Sequence, residues 1–267
     1  MAAQTDQKPT LWQIEISHYS EKVRWALDYK HVPHVRRSPL PGTHIPIALA
    51  LTGGAQLTLP ILTVDGRTIG DSTAILAALE EIQPQPPLYP TDPKERARAL
   101  ELEEFFDEQL GPHTRLLSFF ELMQEPDVFA EVAAASVPGP FGRVKPLVGA
   151  YARVLTSVRW GANSAAAADR ARAAILAALD RLEAELEQGE GEFLVGDRLS
   201  VADVTAASLF YPLVLPPEGP VSPELPRPSG LERFRQRLSE RAGYRWVQET
   251  FRRHRHHAAP SLRRSTA

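Results

Sequence analysis

The spacing of apolar residues predicts alternating strands and helices in the first third of the chain. Apolar and polar residues alternate over 11–16, which predicts a strand, whereas apolar residues three and four positions apart over 21–30 predict a helix. Asp65-Gly66, between two apolar runs, predicts a tight hairpin turn. The other elements expected here are a strand near 32–35, a weak helix over 45–51, strands over 61–64 and 67–69, and a helix over 72–82. The order βαβαββα predicts an α/β domain.

The rest of the chain has the apolar spacing of helices and is divided by proline and glycine. Five prolines within 84–93 predict a linker, so the expected domains are 10–83 and an all-helical domain over 94–255. Seven prolines within the 17 residues 212–228 predict an extended surface loop. The expected helices cover 94–120 with a break at Gly111-Pro112, then 129–135, 143–160, 165–188, 200–211, 231–238 and 244–251.

Composition and charge narrow the classes of function. The 267 residues are 43% hydrophobic and 24% charged, as in soluble globular proteins. A net charge of −3 gives no field to attract nucleic acid or an anionic membrane, and no apolar run reaches the roughly 18 residues of a transmembrane helix. The polar stretch before Leu11 lacks the apolar core of a signal peptide, so a cytoplasmic protein without nucleic-acid or membrane partners is expected.

The absence of cysteine excludes several kinds of chemistry. A chain with no cysteine forms no disulfide, no cysteine–zinc site and no CxxC redox centre. Any thiol chemistry must therefore come with a ligand. The eight histidines form no HExxH pattern, and His254, His256 and His257 lie in an arginine-rich tail that we interpret as a solvated terminus, so no metal site is expected.

Three segments place polar groups or a proline where predicted strands and helices begin or end. Ser17 precedes the first helix, where backbone N–H groups lack partners and the helix dipole favours an anion such as a thiolate. Pro60 belongs at a strand start, and a cis bond before it would leave the backbone of Leu59 free to pair with an extended ligand. Asp71 and Ser72 begin the next helix and can hold a ligand's ammonium and carboxylate. Singly, each segment is also typical of an ordinary cap or turn.

Together, in this order and spacing, the three segments resemble those of the glutathione transferases. Ser200 and Asp203 have capping-box spacing and resemble a helix-start signature in the second domain of that family, so we expect them to act in folding. The resemblance covers about 10–251. It implies the cytosolic type of the fold, a thioredoxin-like βαβαββα domain followed by a helical bundle, with glutathione as co-substrate and a homodimeric state.

The resemblance also implies which residues activate and hold the thiol. In serine-type members, a hydroxyl at the first helix start hydrogen-bonds the glutathione sulfur and favours the thiolate, and Ser17 holds that position. Because His18 stands where proline is frequent, Tyr19 and Ser20 are kept as alternative hydroxyl donors. The residues expected to hold glutathione are His44, Leu59, Pro60, Asp71 and Ser72, with Asp71 where glutamate is commoner.

The resemblance places an electrophile between the domains, against the first helix of the second domain. The implied activity is conjugation, in which the thiolate attacks a small hydrophobic electrophile such as an epoxide or halide in a detoxification reaction. The alternatives are a glutathione-dependent isomerase or dehalogenase and a non-catalytic binding protein on the same fold; another small thiol in place of glutathione also stays open. The candidate electrophile contacts are Phe106, Gln109, His113 and Arg115. Phe106 is also typical of a core residue, and His113 and Arg115, just after Gly111-Pro112, are better placed for a cleft. The loops 137–146 and 212–228 are candidates to cover the pocket.

Overall fold

The chain divides into two compact units, with the boundary between Pro87 and Leu88 inside the proline-rich stretch 84–93. The structure, a computed structural model, describes residues 8–40, 42–135, 162–189, 192–221 and 224–256, together with the single positions 150 and 154. Apart from those two positions, the predicted helix over 143–160 and the predicted covering loop 137–146 lie outside the described residues.

The N-terminal unit contains a mixed sheet with helices in the predicted βαβαββα order. Its elements are β1 (Thr10–Trp12), α1 (His18–Tyr29), β2 (Val35–Arg37), α2 (His44–Thr52), β3 (Ile61–Val64), β4 (Arg67–Gly70) and α3 (Ser72–Ile82). The four strands lie in the order β2-β1-β3-β4. β1 is parallel to β2 and antiparallel to β3, and β3 is antiparallel to β4. This order of elements and strands is the thioredoxin-like arrangement.

The strand register brings three loops to one edge of the sheet. Trp12, the last residue of β1, pairs with Arg37 at the end of β2 and with Ile61 at the start of β3. Ile61 in turn pairs with Gly70 at the end of β4. The segments that come after Trp12, before Ile61 and after Gly70 therefore leave the sheet at the same edge. These are the segments that contain Ser17, Leu59-Pro60 and Asp71-Ser72.

The first strand is shorter than the alternating pattern predicted. The expected strand over 11–16 ends at Trp12. The carbonyl oxygens of Ile14 and Glu15 accept hydrogen bonds from the guanidinium of Arg24, at 3.4 and 2.9 Å. The Ile14 carbonyl also accepts from the backbone N–H of Ser17 at 3.0 Å, so the chain turns here toward α1 and does not continue along the sheet.

Helix α1 is buried along nearly its whole length. Its apolar residues Val23, Ala26 and Leu27 are inaccessible to solvent, as the sequence pattern predicts for a core face. Lys22 and Arg24 lie off that face, yet they are 0% and 1% exposed. Buried charges need hydrogen-bonding partners, so α1 must be surrounded by polar as well as apolar groups.

The C-terminal unit is helical throughout its described elements. These are α4 (Pro93–Gln109), α5 (Gly111–Gln124), α6 (Pro126–Ala135), α7 (Ala165–Gln188), α8 (Val201–Val214), α9 (Ser229–Leu238) and α10 (Ala242–His254). As predicted, the Gly111-Pro112 pair marks a break, with Leu110 between α4 and α5. Pro112 lies in the first turn of α5, where its missing N–H would have no helical partner in any case.

The predicted extended loop over 212–228 is wrong at its start, because α8 continues through Pro212 to Val214. An interior proline costs a helix about 3 kcal/mol. All residues of α8 except Pro212 are buried. Burial of a single Val or Leu side chain contributes about 1.5–3 kcal/mol. The helix end is also held from outside, since the Val214 carbonyl accepts from Arg235 Nε and from the Tyr244 hydroxyl, both at 3.2 Å. The free energy gained by packing α8 thus outweighs the cost of its interior proline.

The start of α8 has the predicted capping box. The carboxylate of Asp203 accepts hydrogen bonds from the backbone N–H of Ser200 at 2.8 Å, from the Ser200 hydroxyl at 2.7 Å and from the backbone N–H of Leu194 at 2.8 Å. Asp203 has no exposed surface, and burial raises the pKa of its carboxyl to about 6 despite these bonds. The box joins the loop before α8 to its first turn, which is the folding role expected for it.

Candidate active site

Ser17 caps the N-terminus of α1. Its backbone is extended (φ −76°, ψ 125°), and its Oγ accepts a hydrogen bond from the backbone N–H of Ser20 at 3.2 Å. The cap explains why α1 begins at His18, three residues before the predicted start. The side chain is half-buried, and accepting one bond leaves its hydroxyl hydrogen for donation. The hydroxyl thus lies at the positive end of the helix dipole, as a thiolate partner requires.

The two alternative hydroxyls of this turn are in different surroundings. Ser20 has no exposed surface, and its Oγ accepts a hydrogen bond from the backbone N–H of Ile14 at 3.3 Å. Tyr19 is half-buried, and its ring lies 4.6 Å from that of His18. Ser20 therefore stabilises the turn from inside, whereas Ser17 and Tyr19 keep some exposed surface.

The Leu59–Pro60 peptide bond is cis, which is the condition under which the sequence predicted a ligand-pairing backbone. The ladders from β3 to β1 and to β4 both end at Ile61, so the backbone of Leu59 lies outside them. The Leu59 side chain is 7% exposed and packs in a cluster with Ala48 and Ile61. This packing fixes the segment while its backbone stays outside the sheet.

Asp71 is the N-cap of α3, and Ser72 is its first helical residue. The Asp71 carboxylate accepts hydrogen bonds from the backbone N–H groups of Thr73 and Ala74, at 3.0 and 3.1 Å. Asp71 has φ 69° and ψ 132°, a backbone conformation that costs a non-glycine residue about 1–3 kcal/mol. Ser72 is 4% exposed. Strain of this kind concentrates at ligand sites, which makes the start of α3 a candidate site on structural grounds.

The remaining candidate glutathione contact, His44, begins α2. Its Nδ1 accepts a hydrogen bond from the backbone N–H of Gly42 at 3.0 Å, and the residue is 7% exposed. A ring nitrogen that accepts carries no proton, so the neutral imidazole has its proton on Nε2. An N–H group of this kind can donate a hydrogen bond to a carboxylate.

Sequence reasoning missed the buried charges of α1 that support this edge of the sheet. Lys22 Nζ donates to Thr73 Oγ1 at 2.9 Å, which joins α1 to the start of α3. Arg24 donates to the segment before Ser17 and is held by Glu21 at 2.6 Å. The three-residue spacing of Glu21 and Arg24 is the one signal in the sequence that indicates part of this arrangement.

The predicted electrophile contacts lie around the junction of α4 and α5 in the C-terminal unit. Phe106 is fully buried, and its ring packs edge-on against that of Phe210 at 6.2 Å. Having no exposed surface, it is a core residue in this structure, and its predicted contact with the electrophile is not supported. Gln109 is exposed, and His113 and Arg115 are half-buried. Burial lowers the pKa of the His113 imidazole, which favours its neutral form.

Two other kinds of function have no candidate residues in the described part of the chain. Among those residues, no group of three or more histidines and acidic residues could hold a metal ion. None of the described helices is both long enough and apolar enough to span a membrane.

Two family models match the chain, one in each unit. The model of the glutathione S-transferase N-terminal domain matches residues 11–87, and that of the glutathione S-transferase C-terminal domain matches residues 165–248. The chain belongs to the glutathione transferase family. The N-terminal match includes every residue of the predicted thiol site.

Several curated relatives have isomerase names. The rat protein named "Maleylacetoacetate isomerase" is 28% identical over 211 residues, which are 75% of this chain and 76% of that protein. The Drosophila melanogaster protein named "Probable maleylacetoacetate isomerase 2" is 30% identical over 135 residues, 46% of this chain. The latter match spans 56% of the fly protein, less than two thirds of its length.

Two solved structures show the same fold. A maleylacetoacetate isomerase from Anaeromyxobacter dehalogenans, with glutathione bound in its active site, has a TM-score of 0.56 at 22% identity, covering 91% of this chain and 89% of that one. A maleyl pyruvate isomerase, described as a bacterial glutathione S-transferase of the zeta class, has a TM-score of 0.60 at 20% identity, covering 97% and 100%. At these identities the similarity concerns the fold.

Proposed function

We propose that this protein is a glutathione-dependent isomerase that converts a small unsaturated acid of the maleyl type from its cis to its trans form. The observation that carries the thiol chemistry is the geometry of Ser17, a half-buried hydroxyl at the start of α1 with its hydrogen available for donation. A hydrogen bond to the sulfur favours the charged form and so lowers the pKa of the bound thiol. The choice of isomerisation as the reaction rests on the names of the relatives.

The same edge of the sheet offers groups for each part of glutathione. The backbone of Leu59, outside the strand ladders, is suited to pair with the extended cysteinyl part of the ligand. Ser72 and Asp71, at the start of α3, are suited to the carboxylate and ammonium of the γ-glutamyl end. His44, with a donor at Nε2, is suited to the glycyl carboxylate.

Isomerisation requires the same activated thiolate as conjugation and differs in the later steps. The sulfur adds to one carbon of the double bond, and the π electrons move to the conjugated carbonyl oxygen as an enolate. The new single bond then rotates. Collapse of the enolate restores the double bond in trans geometry and expels the thiolate, so glutathione is regenerated. Conjugation to a halide or epoxide instead consumes one glutathione per turnover.

The resemblance in sequence suggested conjugation as the first expectation and isomerisation as an alternative. The curated relatives favour the alternative, because both the rat and the fly protein have isomerase names. The experiment below also distinguishes the other possibilities, which are conjugation, a non-catalytic binding protein and the use of another small thiol. The homodimer implied by the family is part of this proposal and is tested by sedimentation equilibrium.

The deciding experiment supplies maleylacetoacetate with a tenfold smaller amount of glutathione and monitors both by proton NMR. An isomerase converts all of the substrate while the free glutathione signal stays constant. Disappearance of glutathione in step with the substrate would indicate conjugation instead. Conversion with another small thiol but not with glutathione would show that this other thiol is the co-substrate. Binding of glutathione without conversion of any electrophile would indicate a non-catalytic binding protein.

A further inference from the structure

We propose that Arg24 is a positioning residue for thiol activation, which fixes the turn that presents the Ser17 hydroxyl. The inference rests on the proposed function, because it concerns the same site. Arg24 lies in the middle of α1 and is 1% exposed. A guanidinium in that environment is costly unless its donors are paired, so its partners indicate what it stabilises.

The donors of Arg24 are directed at the segment that connects β1 to α1. Nη2 donates to the Glu15 carbonyl at 2.9 Å and lies 3.5 Å from the Ser17 carbonyl oxygen, while Nη1 lies 3.4 Å from the Ile14 carbonyl oxygen. The short bond to Glu15 is the main anchor, and the two longer contacts lie on either side of it. One side chain thus contacts three carbonyl groups within the four residues that end at Ser17.

The guanidinium is itself held by two buried side chains. Arg24 Nε donates to Glu21 Oε2 at 2.6 Å, and Nη1 donates to Gln13 Oε1 at 2.8 Å. Both partners have no exposed surface. The Gln13 amide also donates to Glu15 Oε1 at 3.0 Å, which adds a second link to the same turn. Because each group is fixed by another, the orientation of the turn is set before any ligand binds.

The planar fork of arginine is what this arrangement needs. The carbonyl oxygens of Glu15 and Ile14 and the side chain of Gln13 lie within reach of two different terminal nitrogens. A lysine ammonium keeps the charge but offers a single nitrogen at the end of a flexible chain. Arg24→Lys therefore separates the effect of the guanidinium geometry from that of the positive charge.

The test compares wild type, Arg24→Lys and the control Arg36→Lys, each saturated with glutathione. Arg36 is also an arginine paired with a buried carboxylate, Asp28 at 2.9 Å, but neither this partner nor His34 lies in the turn before Ser17. Two readouts are taken: the pKa of the bound thiol, from the ultraviolet absorbance of the thiolate, and the glutathione Kd, from calorimetry. The thermal midpoint is recorded for each variant.

Arg24→Lys is expected to raise the pKa of the bound thiol by about one unit, with Kd within about threefold of wild type. Arg36→Lys should change neither value. An unchanged thiol pKa in Arg24→Lys, even with a lower thermal midpoint, would overturn the proposal and leave Arg24 a structural residue. If Arg24→Lys does not fold, Glu21→Gln replaces it. This change keeps nearly the same side-chain shape at position 21 but removes the negative charge that holds the guanidinium. A raised thiol pKa in Glu21→Gln supports the proposal, and an unchanged thiol pKa overturns it.

Failure of the isomerisation alone, with conjugation in its place, would leave the role of Arg24 intact, because both reactions use the activated thiolate. Failure of thiol activation would give a different result. In that case the wild-type protein would either not bind glutathione or hold it with the thiol pKa of free glutathione, and both proposals would fall together. A lowered thiol pKa in wild type that Arg24→Lys leaves in place would overturn only the role of Arg24.

Discussion

The ammonium nitrogen of Lys22 lies 2.9 Å from the hydroxyl oxygen of Thr73, and so joins the helix that begins after Ser17 to the helix that begins at Ser72. Lys22 has no exposed surface. The contact connects residues 51 positions apart, so it fixes two candidate parts of the thiol site relative to each other within the N-terminal unit. This relationship leads to the first prediction.

Lys22→Met is expected to weaken glutathione binding about tenfold, or about 1.4 kcal/mol. The methionine fills a similar volume but cannot donate to Thr73, so the start of α3 loses its tie to α1. Stability should also fall, because the change removes one partner of a partly buried polar contact and keeps the other. Calorimetric titration with glutathione and a thermal melt check both parts. Lys94→Met, at an exposed position of α4, is the control, and an equal Kd in Lys22→Met and wild type would contradict the prediction.

Ser72→Ala is expected to weaken glutathione binding by about tenfold or more. Ser72 lies at the N-terminus of α3 and is almost fully buried. In the variant a bound carboxylate would lose one hydrogen-bond donor at a position that water hardly reaches. Titration calorimetry measures the change, with Ser239→Ala in the other unit as the control. If glutathione does not bind wild type at about 1 mM, the ligand assignment is wrong and another thiol should be tried.

The buried carboxyl of Asp203 is expected to make stability fall as pH rises from about 4 to about 7. Its folded-state pKa of about 6 lies above the usual value of 3.8, so between these values the folded state binds more protons than the unfolded state. The contribution is present below the unfolded pKa and is lost as pH rises through the folded pKa. Its size is roughly 3 kcal/mol, from a shift of about two units.

Urea unfolding of wild type and Asp203→Asn across this pH range isolates the Asp203 contribution. The wild-type free energy of unfolding should decrease relative to that of the variant by roughly 3 kcal/mol between pH 4 and 7. The variant loses part of the capping box at every pH, so the slope of the difference is the informative quantity. A constant difference across the range would show that the Asp203 pKa is not raised.

The sequence predicted the parts of the fold and candidate site that depend on neighbouring residues. Ser17 is recognisable as a helix cap because the apolar spacing of the helix comes directly after it, and its bond to Ser20 spans only three residues. The hairpin between β3 and β4 and the box at Ser200 and Asp203 are local in the same way. Family resemblance then brought the distant segments together.

The features that the sequence did not reveal depend on distant contacts. Lys22 is buried where Thr73, 51 residues away, accepts its hydrogen bond, and the turn after β1 is held by Arg24, which donates to the Glu15 carbonyl. Helix α8 passes through Pro212 because residues outside it pack around its end. Propensity rules treat a lysine or proline by its own preference, and tertiary packing overrides that preference at these positions.

The Ser17 hydroxyl is expected to lower the pKa of a bound thiol, and the whole proposed activity depends on this effect. The direct measurement is a pH titration of the thiolate absorbance of bound glutathione in wild type, Ser17→Ala and Ser17→Thr. In wild type the thiol pKa should lie well below the value of about 8.5 for a free cysteine thiol, and Ser17→Ala should return it toward that value, because the hydrogen bond that favours the charged form is gone. Ser17→Thr keeps a hydroxyl and should restore most of the shift. A thiol pKa that is equally low in wild type and Ser17→Ala would contradict the assignment and transfer the role to another hydroxyl of the turn, first Tyr19.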